Sequence, residues 1–312
     1  MRIIRHWAGL TEADRGASVA IGNFDGVHLG HLSVLEQARK AGGRLGVLTF
    51  EPHPRQFFIP DAPPFRLMNA ESRANQLKKL GVDLLYELPF DPALAEMSAE
   101  TFANQVLGRQ ANTGLGIRHA VVGADFCYGK GRKGSVETLR QAAQSLGFGL
   151  SVAPILADEG AEISSTSIRR ALAEGRPRDA ARMLGHWHRI EGEVLHGEKR
   201  GRALGYPTAN MSVGGLHLPK LGVYAVRVDV LTGPHRGSYH GAGSLGVRPM
   251  FGSNQPNLES HLFDFDGDLY GQHLSIALVE YLRPELKFDG LPALITQMGQ
   301  DCGTARNLLA AL

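Results

Sequence analysis

The chain has 312 residues, 43% apolar and 21% charged, with a formal net charge of +2. That length suits two domains of ordinary size, and the composition is that of a soluble globular protein. The small charge argues against nucleic acid or a membrane surface as the main partner. Cys127 and Cys302 are far apart and few, which implies no disulfide framework and fits a reducing compartment. The start, Met1 to Trp7, lacks the apolar run of a signal peptide. No segment reaches the ~20 apolar residues of a membrane span. A cytoplasmic location is expected.

The first half alternates strand and helix. Val19 to Ile21 predicts a strand, 32–41 a helix and Leu45 to Phe50 a buried strand. A helix over 71–80, a strand over Val82 to Leu88 and a helix over 98–110, opened by Ser98, follow. His119 to Val122 predicts a strand, 135–146 a helix and Leu150 to Ile155 a strand. Such alternation predicts a parallel sheet with helices on both faces and a binding site at the carboxyl ends of its strands.

Between the first of these strands and its helix lies Gly22-Asn23-Phe24-Asp25-Gly26-Val27-His28-Leu29-Gly30-His31. A glycine-rich turn entering a helix aims backbone N–H groups and the positive helix end at one point, which makes a phosphate site. His28 and His31 can donate hydrogen bonds to phosphate oxygens. The plainer readings are surface or cap histidines, or half of a zinc site that lacks its remaining ligands. The run Ile163-Ser164-Ser165-Thr166-Ser167-Ile168-Arg169-Arg170 opens a short helix ending near Gly175. It is either a simple N-cap or a second phosphate-sized cluster of hydroxyls, helix N–H groups and the Arg169 guanidinium. Gly123 to Gly129, with Asp125, follows the strand 119–122; that run and Thr49 to Pro54, with Pro52 and His53, would each alone pass as a turn. Gly129 to Gly134 matches GxGxxG, but several residues separate it from the strand and its intervening positions are basic. It reads as a mobile basic loop near phosphates rather than a dinucleotide site.

After residue 185 the texture changes to short alternating runs: His188 to Leu195, Gly222 to Val230, His240 to Val247, Glu259 to Phe265 and His273 to Tyr281. They predict a closed or nearly closed antiparallel β-barrel, with a boundary near 183–188. A final helix over 290–311 carries Leu291, Leu294, Ile295, Met298 and Leu308 at helical spacing. Gly197, Gly201 and Gly205, with Arg202 among them, precede Tyr206-Pro207-Thr208-Ala209-Asn210. Glycines permit close approach by phosphates, and Thr208 and Asn210 put oxygens on one side of an extended segment, as a hard cation prefers. The alternative is a β-turn with a basic rim. Glu259 begins an alternating strand that ends in the acidic turn Asp264 to Asp268, which lacks the ladder of an EF-hand.

These motifs carry a resemblance. The first run resembles the HxGH signature of nucleotidylyltransferases in its bacterial FAD synthetase form, and Ile163 to Arg169 resembles the ISSTxxR motif that accompanies it. The second half resembles riboflavin kinases, whose signature ends in PTAN; the usual form has Phe where Tyr206 stands. The resemblance covers about residues 15 to 311 and identifies the chain as similar to the prokaryotic bifunctional riboflavin kinases/FAD synthetases. It implies a Rossmann-like nucleotidylyltransferase domain over 1–184 and a riboflavin kinase barrel with a C-terminal helix over 185–312.

The resemblance also implies roles. Riboflavin, FMN and ATP would be the substrates, FMN and FAD the products, and Mg2+ the ion that accompanies ATP. In the first domain His28, His31 and Arg169 would be catalytic. Gly22, Asn23, Phe24, Asp25, Gly26, Gly30, Asp125, Ser165 and Thr166 would bind ATP, with Pro52 and His53 on the flavin side. In the second domain Glu259 would be the base. Gly197, Gly201, Arg202, Gly205 and Pro207 would bind ATP, Thr208 and Asn210 the metal, and Arg283 and Glu285 the flavin. No nucleic acid or membrane partner is expected, and the chain is expected to be a monomer or weak homo-oligomer. A chain with one activity, or a flavin-binding regulator, would require a lost motif residue; Glu259, His28 and His31 are all present.

Overall fold

The computed structural model describes residues 1–158, 161–196, 201, 204–250 and 253–312. Two compact units account for them: Met1–Ala62 with Arg73–Ser164, and Pro63–Ser72 with Ser165–Leu312.

The first unit is built on a six-stranded sheet in the order Arg2–Ile4, Leu84–Pro89, Leu45–Glu51, Ser18–Ile21, His119–Gly123, Gly149–Ala153. Every pairing in it is parallel. Consecutive residues Val19, Ala20 and Ile21 are all buried, so both faces of the central strand are covered. From Ser18–Ile21 the chain builds outward through Leu45–Glu51 and Leu84–Pro89, then returns to pair His119–Gly123 on the other side. The order therefore reverses between Ser18–Ile21 and His119–Gly123. In open sheets of this kind that reversal leaves a crevice beyond the carboxyl ends of the two strands.

Three details depart from the sequence reading. Arg2–Ile4 forms an edge strand too short to leave a periodic pattern. The helix expected over 98–110 starts with Ser98 accepting from the Thr101 N–H at 3.0 Å, but turns from α at Ala99–Phe102 to π at Ala103–Leu107. The basic run from Gly129 is one short turn, Lys130–Arg132, between the paired strands Cys127–Tyr128 and Gly134–Ser135, with the Lys130 ammonium on Glu96.

In the second unit the helices Ser165–Ala173 and Pro177–Leu184 share a small core of Leu67, Ile168, Ala171, Leu172, Ala180 and Leu184. The barrel follows, as six antiparallel strands in the order Arg189–Glu193, His273–Arg283, Gly222–Val230, Gly237–Met250, Ser253–Leu262, Ala209–Ser212. An isolated bridge from Leu195 to Asn210 joins the first edge to the last and closes the ring, with the Leu195 N–H on the Asn210 carbonyl at 2.8 Å. Inward residues such as Val226, Leu245, Leu258 and Ile276 are fully buried, which is the apolar interior that alternation predicts.

The last helix, Leu291–Ala310, does not bury the stripe expected of it: Leu291 is 59% exposed and Ile295 38%. Its buried line is instead Asp301, Ala305 and Leu309, spaced four apart. Ala305 and Leu309 pack on Ala225, Phe263, Ala277 and Val279. Among the described residues no helix is long and apolar enough to cross a membrane.

Candidate active sites

At the strand-order reversal, Ser18–Ile21 runs into the turn of the first glycine motif and then into the helix Leu29–Lys40. Phe24 and Val27 are fully buried in this turn with φ of 52° and 46°. A left-handed backbone at a bulky and at a β-branched residue is strained, and such strain is held only where the surroundings over-determine it. Gly26, at φ 90°, supplies the third left-handed position. Gly30 serves a different purpose. A Cβ there would lie 3.0 Å from the His28 ring. A Cβ on Gly22 would touch the Phe24 ring at 3.4 Å. Asp25 is buried, Asn23 is exposed, and the Asn23 carbonyl accepts from the Thr49 hydroxyl at 3.0 Å.

The two histidines meet. Their rings stack at 3.7 Å between centroids, with the Phe24 ring 4.7 Å from His31. The His28 N–H donates to His31 Nδ1 at 3.3 Å, which selects the tautomer carrying its proton on Nε2. Burial, and then the neighbouring His28, hold the His31 imidazole well below its ordinary titration range. His31 is thus a neutral donor beside the open N–H groups of a helix start. That arrangement can hold phosphate oxygens.

Other first-unit candidates sit around the same strand ends. His53 is 9% exposed and starts the helix Pro54–Phe58, its Nδ1 accepting from the Arg55 N–H at 3.1 Å; Pro52 beside it is exposed. Nothing local in the sequence marks what stands behind this loop. Arg73, 1% exposed, donates to Glu51 and to Glu87, each at 2.9 Å. Phe57 and Phe58 meet Phe90 edge-on at 5.4 and 5.7 Å. Asp125 is exposed after His119–Gly123, where a Cβ on Gly123 would come within 2.9 Å of its carboxylate. The carbonyl of Ile163 is 3.7 Å from the place of a Gly30 Cβ, so that run begins beside the histidine helix. Ser165 and Thr166 open their own helix, grouped with the second unit. In that unit Arg169 donates from Nε to the Phe65 carbonyl at 2.6 Å and lies over the Phe65 ring.

In the barrel, strand register brings the remaining candidates together. Asn210 pairs directly opposite Glu259, across the antiparallel strands Ala209–Ser212 and Ser253–Leu262. Asn210 is 8% exposed and donates to the Thr208 carbonyl at 3.4 Å. Asn257, two residues before Glu259 on the same strand face, donates its amide to Glu259 Oε1 at 3.3 Å. His261, two residues after, places Nδ1 2.9 Å from the Pro207 carbonyl. Neither Asn257 nor His261 was singled out from the sequence. Gly201 accepts from the Tyr206 N–H at 2.9 Å, and Gly205 turns the chain at φ 83°. Pro207 is exposed, and Gly197 and Arg202 lie outside the described residues. Arg283 is clasped by Asp301 of the last helix, at 2.9 Å from Nε and 2.6 Å from Nη2, and sits over Phe288. The exposed Glu285 carboxylate rests against the bare Cα of Gly246.

This set offers a hydroxyl, an amide oxygen and one carboxylate, all hard oxygen donors, suited to magnesium that keeps part of its shell for phosphates. Among the described residues no cluster of three or more His, Cys, Asp or Glu could hold a metal by itself. A cation here would depend on the nucleotide for its other ligands.

A family model described as FAD synthetase matches residues 10–167, and one described as riboflavin kinase matches residues 184–309. The curated bifunctional riboflavin kinase/FMN adenylyltransferase of Pseudomonas fluorescens is 39% identical, covering 99% of this chain and 98% of that protein. The protein of the same name from Escherichia coli K12 is 36% identical, covering 98% and 97%. A solved structure from Streptococcus pneumoniae, described as a macrolide-efflux protein, matches with a TM-score of 0.82 at 29% identity, over 98% of this chain and 99% of that one.

Proposed function

The chain belongs to the bifunctional riboflavin kinase/FMN adenylyltransferase family, and from that premise we propose how its two sites divide the work. It phosphorylates riboflavin to FMN with ATP, and it adenylylates FMN with a second ATP to give FAD and pyrophosphate. One observation carries this reading: the two family matches lie in series on one chain, and curated bifunctional relatives align with nearly all of it.

We assign adenylyl transfer to residues 1–184 and the kinase to 185–312. In the first, an FMN phosphate oxygen attacks the α-phosphorus of ATP, the α–β bridging bond breaks, and pyrophosphate leaves. The attacking group is already an anion, so no base is needed, in keeping with a His31 imidazole held neutral by burial. Catalysis is positioning and charge stabilisation. His28, His31 and the start of the helix Leu29–Lys40 hold the transferring group. Arg169, with Ser165 and Thr166, neutralises the departing phosphates. Gly22, Asn23, Phe24, Asp25, Gly26, Gly30 and Asp125 line the nucleotide, and Pro52 and His53 the flavin.

In the second, the ribityl hydroxyl of riboflavin loses its proton to Glu259 as its oxygen takes the γ-phosphoryl group, and ADP leaves. The pairing of Asn210 opposite Glu259 supports this, because base and metal ligand then share one place. Thr208 and Asn210 are the residues to hold magnesium, which would offset phosphate charge. Gly197, Gly201, Arg202, Gly205 and Pro207 cradle ATP, while Arg283 and Glu285 meet the flavin. We place the chain in the cytoplasm, as a monomer or weak homo-oligomer without nucleic-acid or membrane partners.

Single substitutions test the division. His31→Ala should depress FAD formation from FMN by roughly 100-fold and spare FMN formation from riboflavin, with Glu259→Ala doing the reverse. Either substitution abolishing both reactions in a folded protein would contradict the assignment.

A further inference from the structure

Asn257, Glu259 and His261 alternate along Ser253–Leu262 and share one face of that strand. Glu259 stands opposite Asn210, so the next residue on that face, His261, lies alongside the chain that leads into the Thr208–Asn210 segment. Its Nδ1 is 2.9 Å from the Pro207 carbonyl, and its ring meets the Tyr206 ring edge-on at 5.4 Å. A carbonyl only accepts, so Nδ1 carries the proton. Tyr206 is itself tied by its N–H to the Gly201 carbonyl at 2.9 Å. Tyr206 and Pro207 precede Ala209–Ser212, where the ladder to Ser253–Leu262 begins, and Pro207 has no N–H of its own to offer. A side chain from the partner strand supplies the tie that the backbone lacks there.

We infer that His261 is a positioning residue for the kinase: its Nδ1–H holds the Pro207 carbonyl and so sets the place of the Thr208 oxygen relative to Asn210 and Glu259. The inference rests on the kinase reading above. The imidazole acts through the backbone one residue before Thr208. Its loss loosens the oxygen set toward magnesium-nucleotide while Glu259 stays on its own strand, so the effect falls on nucleotide affinity before turnover.

The test uses the full chain and the variants His261→Ala, His261→Asn and His261→Gln. Kinase rates against magnesium-ATP are measured beside calorimetric titration with magnesium-ADP, which needs no turnover. Asn places an amide N–H where Nδ1 sits, whereas Gln places one where Nε2 sits. His261→Ala should weaken magnesium-ADP binding and raise KM for magnesium-ATP about tenfold, with a smaller change in kcat, as loss of one hydrogen bond allows. His261→Asn should recover most of that loss and His261→Gln little of it. FAD formation from FMN should be unchanged throughout. Wild-type affinity in His261→Ala, or Gln rescuing better than Asn, would overturn the inference. If His261→Ala does not fold, the Asn and Gln variants decide it by the same ordering. A wild-type chain that fails to phosphorylate riboflavin would overturn the kinase reading instead.

Discussion

Gly30 has no side chain because the His28 ring occupies the space that one would need. The sequence motif presents its glycines as room for a ligand; the structure gives this one to the stacking of its own histidines. Gly30→Ala should therefore push His28 off His31 and slow FAD formation by roughly 10- to 100-fold, the scale of an ångström misplacement, while FMN formation holds. A steady-state assay of each half-reaction checks it, and an unchanged FAD rate would return the glycine to a purely ligand-facing role. His28, His31, Glu259 and Asn210 were legible as candidates because each lies in a short motif. Asn257 and His261 were not, because their value comes from strand register and from a contact 54 residues away. Arg73 stayed hidden for a similar reason: nothing local marks an arginine that will be buried between Glu51 and Glu87.

The C-terminal helix illustrates how elements become readable or not. Its existence follows from periodicity, and the observed span Leu291–Ala310 matches the expected 290–311 closely. Its buried face does not follow, because Leu291 and Ile295 stay exposed while Asp301 goes inside to clasp Arg283 with help from Gln297 at 3.0 Å. A buried carboxylate is the last residue that hydropathy would choose for a docking face, and its charged partner 18 residues earlier makes it tolerable. Asp301→Ala leaves the Arg283 guanidinium largely buried without its counter-charge and should cost about 3 kcal/mol. Denaturant unfolding checks the value, and a change under about 0.5 kcal/mol would mean the clasp is a surface pair of the usual weak kind. Elsewhere five of the six parallel strands are legible from apolar runs bounded by turns, the edge strand Arg2–Ile4 being the exception. Ala209–Ser212 shows in the sequence only as an extended stretch, since four residues carry too little pattern to declare a ladder.

Across the whole molecule, acidity should act through buried histidines. His188 is 3% exposed, and burial, then the nearby His186 and His217, push its imidazole down to about 3. Its folded value lies below the unfolded one, near 6.5, so the native chain refuses a proton that the unfolded chain takes. Stability is full above about pH 6.5 and declines toward pH 3 at up to ~1.4 kcal/mol per pH unit from this group. Unfolding measured between pH 7.5 and 4.5 should show a shallower decline for His188→Leu than for wild type, and identical slopes would contradict the assignment. At this scale the order of the two architectures was legible from the change of texture near residue 185. The grouping of Pro63–Ser72 with the second unit was not, because it depends on Leu67 joining the core of Ile168 and Leu172. The central claim is that one chain carries out both reactions in series. Purified, flavin-free protein given riboflavin, ATP and magnesium, with products resolved by chromatography over time, tests it most directly. FMN should appear first and FAD later at its expense; FMN that accumulates without FAD, or no turnover at all, would contradict the account.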